Sequence, residues 1–418
     1  MVEIFKKLEK YNYWRKKKIK AGFARDIYLN RIEKYLNNNL VKVLVGQRRV
    51  GKSYLLRQII QKLIKEKVNP KNIFYLNKEI VDFDEIENYK DLRKLIECYK
   101  KELKPRGKMY ILLDEVQEIE QWEKIVNSLS QDYKEKYEVF LTGSNSKLLS
   151  GELATYLSGR YVSFEIFPFS FEEYAKYFNV PKNKNSFLEY LKAGGLPELY
   201  RLKDEETRIH YVSSLRDTIL LKDIVERYKI KDAYLLERVF RFMTDNIGNL
   251  FSIKKIVDYL NSHKIKTNFE TVSNYASYLQ QTFLIHEAEC FDIKGKAILS
   301  GGKKYYLNDL SFRNYLSSSF DFGLGKHLEN ILYLHYRSLG YKVYVGRIGK
   351  EEIDFIIEKE KEKKYIQATY LLSSKKVIER EFGSLEKTRD AYEKIVVSMD
   401  DVSLGSKNGI KHRRAWEI

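Results

Sequence analysis

Eight residues constrain this chain more than any others: Gly46, Gln47, Arg48, Arg49, Val50, Gly51, Lys52 and Ser53 spell G-x-x-x-x-G-K-S. An apolar run, Val41 to Val45, precedes them, and a helical pattern, Tyr54 to Ile64, follows. Strand, glycine loop and helix in that order read as a P-loop, the cradle of a nucleotide's phosphates. The two glycines let backbone N–H groups curl around a polyphosphate, and the helix turns its positive end to the same anion. In that frame the segment Gly46 to Tyr54 binds the nucleotide, Lys52 reaches its β and γ phosphates, and Ser53 ligates Mg²⁺.

A second short apolar run, Met109 to Leu113, ends in Asp114-Glu115 and reads as a buried parallel strand with acids at its carboxyl end. Ligands of open α/β sheets bind at that end. Asp114 is placed to hold Mg²⁺ and Glu115 to polarise the attacking water, the metal and base roles that phosphoryl transfer needs. The next strand, Val139 to Leu141, ends in Thr142-Gly143-Ser144-Asn145. Ser144 or Asn145 is placed either to sense the γ phosphate or to cap the helix that starts near Lys147.

With these residues on view a resemblance can be stated. The run from Val43 through Ser53, Leu112 to Gln117, Leu141 to Ser146, Leu157-Ser158-Gly159-Arg160, Pro168-Phe169-Ser170-Phe171 and Gly194 to Glu198 resembles a bacterial and archaeal AAA-type P-loop ATPase family with a DUF4143-type C-terminal region. The likeness covers essentially the whole chain. It implies an ATPase core, a helical and winged-helix middle and a degenerate restriction-endonuclease-like end, with ATP preferred over GTP. It also implies an ATP-dependent homo-oligomer. By the same resemblance Arg160 contacts the γ phosphate, in cis or from a neighbouring subunit, as an arginine finger does; a surface ion pair is the other reading.

At 418 residues the chain is long for a single core. The expected fold is α/β in four parts: a P-loop NTPase parallel sheet over 1–167, a helical part over 168–246, a winged helix over 247–322 and an α/β restriction-endonuclease-like part over 323–418. No continuous run of 18 apolar residues occurs and the first eleven residues are charged, so a soluble, cytoplasmic protein is expected, with no membrane partner. Two cysteines, Cys98 and Cys290, without close spacing exclude a disulfide scaffold and a cysteine zinc site.

A formal charge of +18 favours a polyanionic partner, most simply DNA, although a Lys-, Asn- and Tyr-rich composition of this kind also follows from AT-rich coding. Runs such as Arg15-Lys16-Lys17-Lys18 and Lys411-His412-Arg413-Arg414 serve more often as solvated faces than as binding sites. Residues 1 to about 35 read as helical. Ser252 and Asn268 are expected to cap helices from Ile253 and Phe269, and Leu284–Ala288 pairs with Lys304–Leu307 in a wing. Thr271, Ser273 and Asn274 would then enter a groove, assisted by Lys294, Lys296, Lys303 and Lys304, unless the module docks a protein instead.

In the last part Glu329 on a helix, Asp354 at a strand and Gln367 on the next strand resemble the metal-binding set of a restriction-type nuclease. Thr369 stands where that family's lysine would be, so water activation loses a major contributor. Lys364 is a substitute from the same strand. The expected function is ATP hydrolysis whose nucleotide state controls engagement of DNA. The alternatives are a signalling or assembly switch with protein partners and an ATP-gated nuclease.

Overall fold

Five strands carry the first half of the molecule: β1 (Val41–Val45), β2 (Ile73–Asn77), β3 (Met109–Asp114), β4 (Tyr137–Gly143) and β5 (Tyr161–Glu165). They form one parallel sheet in the order β2-β3-β4-β1-β5. β1 to β4 are buried along their whole length, which is why they read as unbroken apolar runs rather than as alternating ones. The exception inside β1 is Lys42, which is neutralised by a buried ion pair with Glu138 of β4. In this register Val45 lies beside Gly143 and Asn77 beside Asp114, so the glycine loop and the acids leave the sheet at the same, carboxyl end of its strands.

The computed structural model describes residues 1–15, 19–149, 157, 159–299, 301–317 and 323–418. Among these the chain divides into two compact units, Met1–Ile166 and Phe167–Ile418. Lys16, Lys17, Lys18 and Ser158 lie outside the described residues. Among the described residues no helix is long and apolar enough to cross a membrane.

The expectation of a helical first 35 residues holds for two stretches and is corrected between them. Helices form at Val2–Leu8 and Asp26–Glu33, and the described residues between the short turn Glu9–Tyr11 and Asp26 are not helical. Tertiary hydrogen bonds outcompete local helix here. The Asn12 amide donates to the Tyr75 carbonyl at 2.9 Å and accepts from the Tyr75 N–H, while the Trp14 indole N–H donates to the Ile73 carbonyl at 2.6 Å. The segment thereby covers the edge strand β2, whose backbone groups would otherwise be open to another strand.

The second unit begins with helices. Phe171–Phe178 carries a capping box built from Ser170 and Glu173, and Lys184–Ala193 ends at Gly194. The Gly195 N–H donates to Asp309, a fully buried acid, at 2.6 Å, which anchors the Gly-Gly-Leu-Pro break. Glu205–Asp217, a π-helical stretch Thr218–Glu226 and Ala233–Asp245 follow. The helices Ile253–Ser262 and Phe269–Gln281 form behind Ser252 and Asn268, whose side chains accept from the N3 amides. Strands β6 (Leu250–Phe251), β7 (Ile285–Ala288) and β10 (Lys303–Leu307) make a small antiparallel sheet.

A larger mixed sheet completes the unit. It takes in β8 (Cys290–Asp292), β9 (Ala297–Ile298), β11 (Lys342–Ile348), β12 (Glu351–Lys359), β13 (Glu362–Thr369), β14 (Glu393–Ser398), β15 (Ser406–Lys407) and β16 (Ile410–Arg414). Their order is β15-β16-β14-β13-β12-β11-β8-β9. The helices Leu324–Ser338 and Lys375–Glu386 belong to the same part. The basic run at 411–414 is strand: Lys411 pairs with Glu393 and Arg414 with Glu417, and His412 between them is buried.

Candidate active site

The loop after β1 is shaped by its glycines. At Gly46 φ is +152°, and a side chain there would put its first carbon 2.3 Å from the Ile166 carbonyl oxygen. Gly51, at φ +97°, turns the chain into the helix Lys52–Lys65. No side chain caps that helix and no acid occupies its first turn. Its leading N–H groups and positive end therefore face the loop without a carboxylate of the same turn to answer them. Arg49 adopts φ +69°, Arg48 donates to Glu79 at 2.6 Å, and the Val50 carbonyl accepts from the buried Arg25 at 3.0 Å. Gln47 is buried, whereas Tyr54 is 37% exposed with the Arg57 guanidinium 5.1 Å from its ring centre.

Lys52 is only 4% exposed. Its ammonium donates to the carbonyls of Gly46 at 2.9 Å and Gln47 at 3.1 Å, and lies 3.4 Å from a Glu115 oxygen. Burial pushes the Glu115 carboxyl up, but the nearby Lys52, a hydrogen bond from Gln117 and Arg48 outweigh it and hold Glu115 below the usual glutamate range. Asp114, 1% exposed, is shifted the other way: burial and the Glu115 charge raise it against hydrogen bonds from Thr142, Tyr75 and Ser53. Adjacent acids thus sit in opposed environments, one against an ammonium and one among hydroxyls. Glu115 holds φ +52°, a left-handed conformation uncommon for a side-chain-bearing residue and typical of functional turns.

Thr142 ties the two acids together. Its hydroxyl donates to one Asp114 oxygen and accepts the Glu115 N–H at 2.9 Å, while the Tyr75 hydroxyl donates to the other Asp114 oxygen at 2.8 Å. Replacing Thr142 by Val keeps the shape but strands a buried N–H, so a stability loss of about 1–3 kcal/mol is expected. Turnover should fall about tenfold or more as the acids lose their register. Urea unfolding and a phosphate-release assay on the variant check both; unchanged values would remove Thr142 from the site.

Ser144 and Asn145 follow directly and are buried, at the start of the turn Ser146–Leu149. Arg160 lies elsewhere. Its carbonyl accepts the Val41 N–H at 2.9 Å, beside the first residue of β1, whereas the glycine loop follows the last. Four strand residues separate the two by about 13 Å. Arg160 is exposed and stands at the amino end of β1, the end away from the glycine loop.

In the second unit Glu329, Asp354 and Gln367 lie close together. The Asp354 N–H donates to the Gln367 amide oxygen at 3.2 Å, the other end of that amide donates to Glu381 at 2.8 Å, and Glu329 stands across from Asp354. Between the acids lies the Lys304 ammonium, 2.7 Å from Glu329, 2.6 Å from Glu352 and 3.3 Å from Asp354. Two lysine expectations are corrected. Lys304 is buried among acids and so is no wing contact, while Lys364 sits an odd number of residues from Gln367, on the other face of β13, paired with Glu362 and Glu393. Lys303 pairs with Glu287, which leaves Lys294 and Lys296 exposed. Among the described residues no group of His, Cys, Asp or Glu is arranged to hold a metal ion.

A parallel sheet whose first strand runs into a glycine cradle, with two acids ending a strand one place removed, defines a P-loop NTPase. The sequence pattern of the AAA domain matches residues 38–175, and that of a domain of unknown function, DUF8612, matches residues 184–323. An uncharacterized protein of Haemophilus influenzae is 35% identical over 91% of this chain and 94% of its own length. One of Methanocaldococcus jannaschii is 34% identical over 89% and 83%. The chain belongs to the AAA-type P-loop ATPase family.

Solved structures with some likeness include the Aeropyrum pernix ORC1 protein in complex with DNA, with 14% identity over 72% of this chain and 94% of that one and a TM-score of 0.32. AMPPCP-bound DnaA from Aquifex aeolicus has 16% identity over 63% and 89% and a TM-score of 0.31. Scores this low carry no argument about this chain. The DUF4143-type likeness of the C-terminal region stays an expectation.

Proposed function

We propose that the chain binds MgATP in the Gly46–Tyr54 segment, hydrolyses it, and uses the nucleotide state to control its hold on DNA. The observation that carries the reading is the convergence of Lys52, Asp114 and Glu115, tied by Thr142, at the end of the helix Lys52–Lys65 that no side chain caps. Lys52 and the loop amides would hold the phosphates. Ser53 and Asp114, already joined by a hydrogen bond, offer the hard oxygen donors that Mg²⁺ takes in a partly hydrated shell, and that ion would offset charge on the phosphates. Glu115 would orient the attacking water, and Ser144 or Asn145 would report the γ phosphate.

Phosphate oxygens entering the loop compete for the Lys52 ammonium. As Lys52 turns to them, Glu115 loses the cation that depresses it and becomes a stronger base, so binding itself prepares the base. Arg160, out of reach of its own loop, suits a neighbouring copy's nucleotide in an ATP-dependent homo-oligomer. We further read the second unit as a helical part to residue 246, a winged helix over 247–322 and a restriction-endonuclease-like part from 323.

DNA as the partner rests on the charge of +18 and on exposed Lys254, Lys255, Lys264, Lys266, Lys294 and Lys296. One feature favours a protein partner instead: Phe269, 59% exposed at the start of the second helix, offers an aromatic anchor. Fluorescence anisotropy with a short labelled duplex at rising salt separates the readings. The DNA reading expects affinity to fall steeply between 50 and 200 mM salt, by about 10³-fold or more if six or more phosphates are contacted, and to differ with and without ATP. Absent or salt-insensitive binding favours the protein switch.

A further inference from the structure

We propose that the Lys304 ammonium is the resident cation of the second unit's acidic cluster, standing where a divalent metal would have to sit, so that the restriction-type site is closed to metal chemistry by the chain itself. The inference concerns the second unit alone and is independent of the nucleotide reading.

The ammonium donates hydrogen bonds to Glu329 and Asp354 and forms a third, close ion pair with Glu352. Lys304 is 1% exposed, and Glu329, Glu352 and Asp354 each place one oxygen within 3.3 Å of its nitrogen. A buried lysine is kept only when paired, and here one cation meets three carboxylates. Two of the acids have their second oxygens engaged as well. The Tyr306 hydroxyl donates to the same Glu329 oxygen at 2.7 Å, Lys326 donates to the second Glu329 oxygen at 3.0 Å, and the Ala368 N–H donates to the second Asp354 oxygen at 2.9 Å. Gln367 spends its amide on the Asp354 N–H and on Glu381.

Mg²⁺ or Mn²⁺ needs free oxygen lone pairs at about 2.0–2.2 Å in near-octahedral array. A metal ion would have to displace an ammonium that lies at ordinary hydrogen-bond distance from its ligands. The sequence makes this a fixed arrangement. Lys304 is the position of β10 paired on both sides, with Leu250 on one and Ala288 on the other, so its backbone cannot retreat without loosening the small sheet. Lys304 therefore does two things at once: it neutralises the cluster, and it ties β10 to β12 and to the helix Leu324–Ser338.

The test uses the full chain without nucleotide. Lys304→Met should melt several degrees below the unaltered protein, because three carboxylates lose their cation. Millimolar Mn²⁺ should restore the melting temperature of Lys304→Met but not that of Lys304→Met/Asp354→Asn, and it should leave the unaltered protein unmoved. A folded Lys304→Met that gains nothing from Mn²⁺ overturns the proposal. If that variant does not fold, electron paramagnetic resonance counts bound Mn²⁺ in the unaltered protein and in Glu329→Gln. Equal counts support the proposal, and a lower count in Glu329→Gln overturns it.

Discussion

Glu115→Gln is expected to keep MgATP bound and to slow its hydrolysis by about 10²–10⁴-fold, the range a positioned acid–base group supplies. The substitution preserves the shape of a side chain that is 5% exposed and leaves the backbone N–H on Thr142. It removes the negative charge that would orient and deprotonate water. It also removes the partner of Lys52, which is then freer to serve the phosphates, so affinity should hold or rise. A phosphate-release assay beside a fluorescent-nucleotide titration reads both quantities. Turnover within a few-fold of the unaltered protein would take Glu115 out of the base role.

Lys52→Ala should weaken nucleotide binding by on the order of 100-fold or more, since charge-assisted hydrogen bonds to phosphate oxygens are lost in a buried setting. The loss acts twice. Lys52 is the main cation holding Glu115 low, and without it a buried carboxylate faces the nucleotide's own negative charge. Direct titration with a labelled ATP analogue measures the effect, and circular dichroism controls for folding. Affinity preserved in a folded Lys52→Ala chain would mean the nucleotide is held elsewhere.

Much of the first unit was legible in the sequence because its signals are local. A glycine that must hold φ +152° against a carbonyl and an apolar run ending in two acids each announce themselves within a dozen residues. What was not legible depends on which strand lies beside which. Tyr75 and Thr142 meet Asp114 because β2 and β4 flank β3, an order that chain position does not reveal. The end of β1 at which Arg160 stands was hidden in the same way, since closeness to a motif in sequence does not say which end of the strands a residue occupies.

The second unit shows the limit more sharply. Capping residues marked the helices after Ser252 and Asn268, and the acids Glu329 and Asp354 were visible as a pattern. Yet Lys304, read as one of a row of basic wing residues, is the cation on which those acids converge. Its neighbour Lys303 reaches the surface side and pairs with Glu287, as period-two alternation along a strand requires. Composition counted both lysines as surface charge; strand pairing separated them. The chain around Asn12 and Trp14, between the first two helices, departed from helix for a related reason, because these residues are held by the edge of β2 rather than by their own neighbours.

Isothermal titration of the pure protein with MgATP tests the triphosphate site of the first unit most directly. Saturable heat with one site per chain is expected, abolished or strongly weakened in Lys52→Ala. No heat of binding, or an isotherm that Lys52→Ala leaves unchanged, would contradict it.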